Sequence, residues 1–249
     1  MRVMKDKLEL DYEKTKVFFS HRSNKYNENN PYSVTMYQDD HPELVLRRDK
    51  SEKEKLLPLL QLNSNSKVLD LACGVGRWAD ATAEYVNSYM GVDFSDELIK
   101  IAESRVQGDN ISFRTGSATD LPAVLSVDER YNRILIVGLF MYLNDKDVLE
   151  LSRKLCDYCE PETTICIREP LGIDERLTVR DHFSSKLQDT YHAIYRTRDE
   201  IIGILNKTLL QQGFNIAEEG FLFEDQSLNN RKETAQYYFI FRRRADDLK

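Results

Sequence analysis

Gly74 and Gly76 stand one residue apart, directly after the apolar run Val68-Leu69-Asp70-Leu71-Ala72-Cys73. Glycines in that place let a backbone turn tightly and come close to a ligand. In an open parallel sheet the ligand site lies beyond the carboxyl ends of the strands, which is where such a turn falls. A second run, Ser88 to Phe94, carries Asp93 near its end. A carboxylate there can accept hydrogen bonds from both hydroxyls of a ribose, or it can cap the helix that Ser95 opens. Joined to the glycine turn, the ribose role is favoured. A Gly-x-Gly-x-x-Gly dinucleotide turn would put its third glycine where this chain has Ala79, which that motif permits. Asp70 is the better discriminator. Its negative charge, just before the turn, suits a ligand with a cationic amino-acid end and repels a pyrophosphate.

These residues need a scaffold, and the pattern from Lys67 onward supplies one. Apolar strands are expected at 67–73, 88–94, 111–115, 133–138 and 164–168, with helical patterns between them. Strands buried on both faces and separated by helices imply a parallel sheet covered on both sides. Thr197 and Glu200 form a capping box before Ile201, Ile204, Leu205 and Leu209. Two closing strands, 214–223 and 235–242, are joined by a short polar link, which fits antiparallel neighbours. The fold class expected is α/β: a Rossmann-like, seven-stranded, mostly parallel sheet with helices on both faces and a C-terminal antiparallel hairpin. Residues 1–62 differ in texture and are expected to be an N-terminal helical lid. Residues 63–249 form the main domain, with an acceptor-binding insert at about 171–195.

The segment Val68-Leu-Asp-Leu-Ala-Cys-Gly-Val-Gly76 resembles motif I of the class I S-adenosylmethionine-dependent methyltransferases. Asp93 matches the ribose-binding acid of that family, and Gly116-Ser-Ala-Thr-Asp-Leu-Pro122 resembles the loop that holds the adenine. The resemblance covers about residues 63–243. It implies S-adenosyl-L-methionine as cofactor and S-adenosyl-L-homocysteine as product. It places Asp70, Ala72, Gly74 and Gly76 at the methionine part, Asp93 and Phe94 at the ribose, and Ser117 and Ala118 at the adenine. Val137, on the fourth strand, would line the methyl-transfer site. Ser117 departs from the family pattern, which often has aspartate there; Asp120 is a possible substitute.

Methyl transfer is an in-line displacement that depends on alignment and exclusion of water. A hydroxyl acceptor also needs a base. His192 and His182 are the histidine candidates, and Glu169, beside Arg168 at the end of the fifth strand, is the carboxylate candidate. Arg168, Tyr191, Tyr195 and Tyr37 are candidates to bind the acceptor. Arg47 or Arg48 could hold the cofactor carboxylate. No cluster of carboxylates or histidines suggests a metal.

A net charge of −7 with 31% charged residues argues against a nucleic-acid partner, and no run is apolar enough to span a membrane. Arg242-Arg243-Arg244 reads as a solvated end. The N-terminus, Met1 to Asp6, lacks the apolar block of a secretory signal, so a cytoplasmic monomer or homodimer with free thiols is expected. The expected reaction is methylation of a small polar molecule, with O-methylation of a sugar or related metabolite first. The alternatives are N-methylation of a small amine, a protein or RNA methyltransferase, and a non-catalytic cofactor-binding subunit.

Overall fold

The computed structural model describes residues 2–4, 6–185 and 187–245. Met1 and Lys5, part of the N-terminus weighed above for a secretory signal, lie outside the described residues. In chain order the elements are β1 (Arg2–Met4), α1 (Tyr12–Ser23), α2 (Ser33–Met36), α3 (Pro42–Leu60), β2 (Lys67–Leu71), α4 (Ala79–Thr82), β3 (Ser88–Asp93), α5 (Asp96–Arg105), β4 (Ile111–Thr115), α6 (Leu121–Val124), β5 (Tyr131–Val137), α7 (Asp145–Leu155), β6 (Cys159–Gly172), β7 (Leu177–Ser184), β8 (Asp189–Tyr195), α8 (Arg198–Leu205), β9 (Asn215–Phe221) and β10 (Thr234–Arg243).

Among the described residues, seven strands form one sheet in the order β4-β3-β2-β5-β6-β10-β9. The first five run parallel; β10 pairs antiparallel with both β6 and β9. This is the expected mostly parallel sheet with its antiparallel closing hairpin. The order reverses between β2 and β5, and the crevice at that switch point is where such sheets bind ligands. Leu69, Leu71, Ile134, Ile136, Ile165 and Ile167 face one layer of helices, while Val68, Leu135 and Cys166 face the other. Alternation of side chains along each strand produces that division. Ser95 caps α5 by accepting from Leu98 N at 3.2 Å, and the Thr197–Glu200 capping box opens α8.

Tyr191 and Tyr195, candidates to bind the acceptor, lie on β8, which pairs with β7, and β7 with β1, in a separate antiparallel sheet. The β-branched and aromatic content of 177–195 favours strand, and its polar interruptions mask the alternation. Of the three C-terminal arginines, expected to be a solvated end, Arg244 is exposed and Arg243 is not. Arg243 is buried, donates to Glu160 O at 2.7 Å and lies over the Phe214 ring.

The second sheet is bolted to the first by Arg196, which is 1% exposed. Its guanidinium donates to Phe140 O and Leu143 O, each at 2.6 Å, and to Asp145 at 2.8 Å. Arg176 also pairs with Asp145, so Asp145 keeps a partner if Arg196 is lost. The two carbonyls would be left without this donor. Arg196→Ala is therefore expected to cost about 3 kcal/mol. Urea denaturation of the variant beside the parent measures it, and a loss under about 1 kcal/mol would mean that water replaces the guanidinium.

Candidate active site

The turn after β2 adopts left-handed backbone at Ala72, Gly74 and Gly76 (φ 63°, 56° and 76°). Gly74 is needed there on two counts. Its φ is costly for other residues, and an added Cβ would meet Thr35 Cγ2 at 2.8 Å. Ala72 tolerates the same region at a cost of order 1 kcal/mol. Its N–H bonds to Val92 O at 2.8 Å, which ties the turn to the neighbouring strand. The Asp93 carboxylate then takes the Gly74 N–H at 2.9 Å and the Ser95 N–H at 3.0 Å. Each of its oxygens keeps a lone pair for a further donor.

A cavity of about 510 Å³ opens beside this turn, over the carboxyl ends of the parallel strands. One end is lined by Asp70, Ala72, Asp93, Phe94, Ser117, Ala118 and Val137, all expected from the sequence. Gly74 and Gly76 shape the turn without lining the cavity. Asp120, weighed as a substitute for Ser117, does not line it either; Ser117 bonds to Thr119.

Asp70 is 1% exposed. One of its oxygens accepts from Tyr89 OH at 2.5 Å, and the other, Oδ1, is buried with no partner. An orphaned carboxylate oxygen at a cavity wall calls for a donor, best a cationic one. Arg48 lines the same cavity with its Nε buried and unpartnered, so it can meet a carboxylate. Arg47 is exposed and pairs with Asp225. The donor set therefore fits an amino-acid zwitterion attached to a ribose: Asp70 for its ammonium, Arg48 for its carboxylate, Asp93 for the diol.

Below this end, α3 is locked to the turn by buried ion pairs. Arg77 donates to Asp49 at 2.8 Å and to Glu52 at 2.5 Å. Glu52 also holds Arg168 at 3.0 Å, and Arg168 reaches Gln236 at 3.1 Å. These cations keep Glu52 below the usual carboxylate range despite burial.

The opposite end is aromatic. Tyr37, Tyr191 and Tyr195, expected from the sequence, line it together with Tyr142 and Arg231, which sequence reasoning missed. Tyr142 sits in the turn after β5 (Phe140–Tyr142), and Arg231 lies in the polar link between β9 and β10. No local pattern marks either one. Phe18, Phe19, Tyr37, Tyr142 and Tyr191 pack edge to face, with centroids 5.2–6.4 Å apart.

The structure does not bring His192, His182 or Glu169 to the cavity. His192 alternates with Tyr191 on β8, so its ring points to the other face, where it accepts from Asp181 N at 3.2 Å. Burial lowers its pKa. His182 lies on β7, away from the cavity lining. Glu169 alternates with Arg168 on β6 and is 1% exposed. It accepts from the backbone N–H of Leu139, Phe140 and Met141 at 2.8, 2.8 and 3.1 Å. It thereby fixes the turn that carries Tyr142. Among the described residues, no group of three or more His, Cys, Asp or Glu is placed to hold a metal, and no helix is long and apolar enough to cross a membrane.

Residues 68–162 match the sequence model of the family described as "Methyltransferase domain". Phosphoethanolamine N-methyltransferase 1 of Triticum aestivum is 32% identical over 124 residues, which are 49% of this chain and 24% of that one. Demethylmenaquinone methyltransferase of Shouchella clausii is 26% identical over 124 residues, 47% of this chain and 51% of that one. The chain thus spans a quarter to a half of these relatives' lengths. Among solved structures, phosphoethanolamine N-methyltransferase 1 of Haemonchus contortus, in complex with phosphoethanolamine and S-adenosylhomocysteine, superposes with a TM-score of 0.70. Identity is 20%, over 96% of this chain and 53% of that one. The fold is that of the class I S-adenosylmethionine-dependent methyltransferases.

Burial pushes the carboxyls of Asp70 and Glu169 up to about 7 and that of Asp93 up to about 6. Such groups keep protons in the folded chain that the unfolded chain has released. The contribution of these three groups to the stability of the ligand-free protein should then fall as pH rises from about 4 to about 7 and level off above, against the opposite trend that His192 brings through its lowered pKa. Asp70→Asn removes one of these groups and keeps an acceptor for Tyr89. It should make the fall shallower and raise stability above pH 7, as read by urea denaturation across that range. A fall of unchanged steepness would show that Asp70 ionises without cost.

Proposed function

We propose that this chain transfers a methyl group from S-adenosylmethionine to a small polar acceptor, and that the atom methylated is an amine nitrogen. The observation that carries the reading is a single cavity with two unlike ends. Asp70, Asp93, Ser117 and Ala118 lie at one end, and phenols at the other. S-adenosylmethionine, when bound, supplies a methyl group on a positively charged sulfur. The end of β5 and the turn after it carry the lining from Val137 at the cofactor end to Tyr142 at the acceptor end, and the acceptor must be aligned along them. The aromatic side chains exclude water from that space.

The preference for nitrogen rests on the residues that line the acceptor end. Burial pushes the pKa of Tyr191 up to about 12 and raises those of Tyr37, Tyr142 and Tyr195 well above a phenol's usual value. Neutral phenols of this kind donate hydrogen bonds but do not take a proton from an alcohol. No histidine is among the lining residues. A sugar hydroxyl, the first expectation from the sequence, would need such a base. An amine can release its proton to solvent before it binds and then attack unaided. The relatives named for N-methylation of phosphoethanolamine support the same choice. We also propose residues 1–62 and about 171–195 as the additions that enclose the acceptor, since Tyr37, Tyr191 and Tyr195 come from them.

Two measurements test this. Asp93→Ala should weaken S-adenosylhomocysteine binding by about tenfold or more in calorimetry, through loss of two charge-assisted hydrogen bonds. Binding equal to the parent's would remove Asp93 from the site. Methyl-labelled S-adenosylmethionine, incubated with the protein and a cell extract, should label an amine in the metabolite fraction. Label in the protein or RNA fraction would overturn the small-molecule reading, and label on a sugar oxygen would overturn the choice of nitrogen. Cofactor binding without label anywhere would favour a non-catalytic cofactor-binding subunit.

A further inference from the structure

The acceptor end of the cavity holds a chain of four phenols that ends on a guanidinium. Tyr37 OH contacts Tyr142 OH; Tyr142 OH lies 3.4 Å from Tyr191 OH; Tyr191 OH lies 2.9 Å from Tyr195 OH. Arg231 Nη1 donates to Tyr195 OH at 2.6 Å. The guanidinium lies 5.5 Å from the ring centroid of Tyr191 and 5.3 Å from that of Tyr195.

Hydrogens can be counted along this chain. Four neutral phenols carry four hydroxyl hydrogens, and the three contacts between them use three. One hydroxyl hydrogen has no acceptor within the chain. Arg231 brings further N–H groups and spends one of them on Tyr195. No ion pair joins Arg231 to a carboxylate of the described residues. Glu233, two residues on, pairs with Arg2 at 2.7 Å. Of the other arginines at the cavity, Arg77 and Arg168 are neutralised by Asp49 and Glu52, and Arg48 belongs to the cofactor end. The array thus has one spare hydroxyl hydrogen and several unspent guanidinium N–H groups, and among the described residues its positive charge has no carboxylate at ion-pair distance, Glu233 acting on it from further off. A partner for it must accept several hydrogen bonds and be negatively charged.

We infer that Arg231, with Tyr195 and its neighbouring phenols, is the anion subsite of the acceptor. The acceptor is then a small molecule with a carboxylate or phosphate at one end and the methylated nitrogen at the other. This rests on the methyl-transfer reading for the role of the second end, and on the geometry alone for the anion. The rings of Phe19 and Tyr142, which line the cavity, suit the short chain between the two groups.

Three primary amines of similar length separate the possibilities: phosphoethanolamine, β-alanine and ethanolamine, which end in phosphate, carboxylate and hydroxyl. Each is titrated by calorimetry into the full chain, with and without S-adenosylhomocysteine. At least one anionic amine should bind tenfold or more tightly than ethanolamine, and the stronger of the two names the anion. Arg231→Gln should lower that affinity by about tenfold or more while leaving S-adenosylhomocysteine affinity unchanged, and Arg231→Lys should restore part of it. Ethanolamine binding as tightly as the anionic amines, no binding of either anionic amine at millimolar concentration, or an Arg231→Gln protein that binds like the parent would each overturn the inference. Failure of S-adenosylhomocysteine to bind would instead sink the methyltransferase reading, and the anion titration on the same sample would still decide the role of Arg231.

Discussion

A backbone N–H and a carboxylate, Gly74 N and Asp93 Oδ2, hold the ends of two adjacent parallel strands together. Much of the site follows from that contact. It lets the turn after β2 run through left-handed backbone at Ala72, Gly74 and Gly76 without wandering. It fixes the carboxylate in one orientation, with its remaining lone pairs toward the cavity. The same turn brings Arg77 under α3, where Asp49 and Glu52 meet it. Binding groups held by bonds of this kind need little reordering when a ligand arrives.

The carboxylates show how burial is used. Glu169 is surrounded by three N–H donors, so its charge is spent on shaping the turn from Leu139 to Met141. Asp70 is equally buried but keeps one oxygen unpartnered at the cavity wall. The two have similar chemistry and raised pKa values, and their difference lies in satisfaction. A carboxylate whose acceptors are filled positions its neighbours; one left half-filled is available to a ligand.

The sheet was legible in the sequence because its strands are apolar runs that glycines and caps punctuate. Lys67 to Leu71 and Ser88 to Asp93 fall where the pattern put them, and the cofactor end of the cavity follows from their carboxyl ends. The acceptor end was only partly legible. Tyr37, Tyr191 and Tyr195 do line it, and Arg168 lines the same cavity where Glu52 holds it. Their neighbours in sequence, His192 and Glu169, do not, because a strand sends successive side chains to opposite faces. Parity could not be read for β8, since 177–195 gave no clear alternation. Arg231 was out of reach for another reason. It sits in a polar link without periodicity, and its place beside Tyr195 depends on how β10 pairs with β6 (Thr234 opposite Gly172).

The acceptor end is assembled from parts far apart in the chain, and this has a mechanical consequence. Tyr37 comes from the N-terminal segment, Tyr142 from the turn after β5, Tyr191 and Tyr195 from the second sheet, and Arg231 from the closing hairpin. Separate ties hold each part to the rest: Arg196 for the second sheet, Glu169 for the β5 turn, Glu52 for α3, and Gln38 to Asn230 at 3.1 Å between the N-terminal segment and the hairpin link. The first three ties are buried and charged, so they break only at high cost. The Gln38–Asn230 bond is neutral and partly exposed, and it is the weaker by that measure. Arg47 to Asp225, at 3.4 Å between two exposed side chains, is weaker still. If the cavity must open to admit an acceptor, these two contacts resist least. Across the same seam Arg2 pairs with Glu233 at 2.7 Å between two exposed side chains, so these ties between the N-terminal segment and the hairpin link are neutral or exposed, while the strand ends that carry Asp70 and Asp93 are joined by buried bonds.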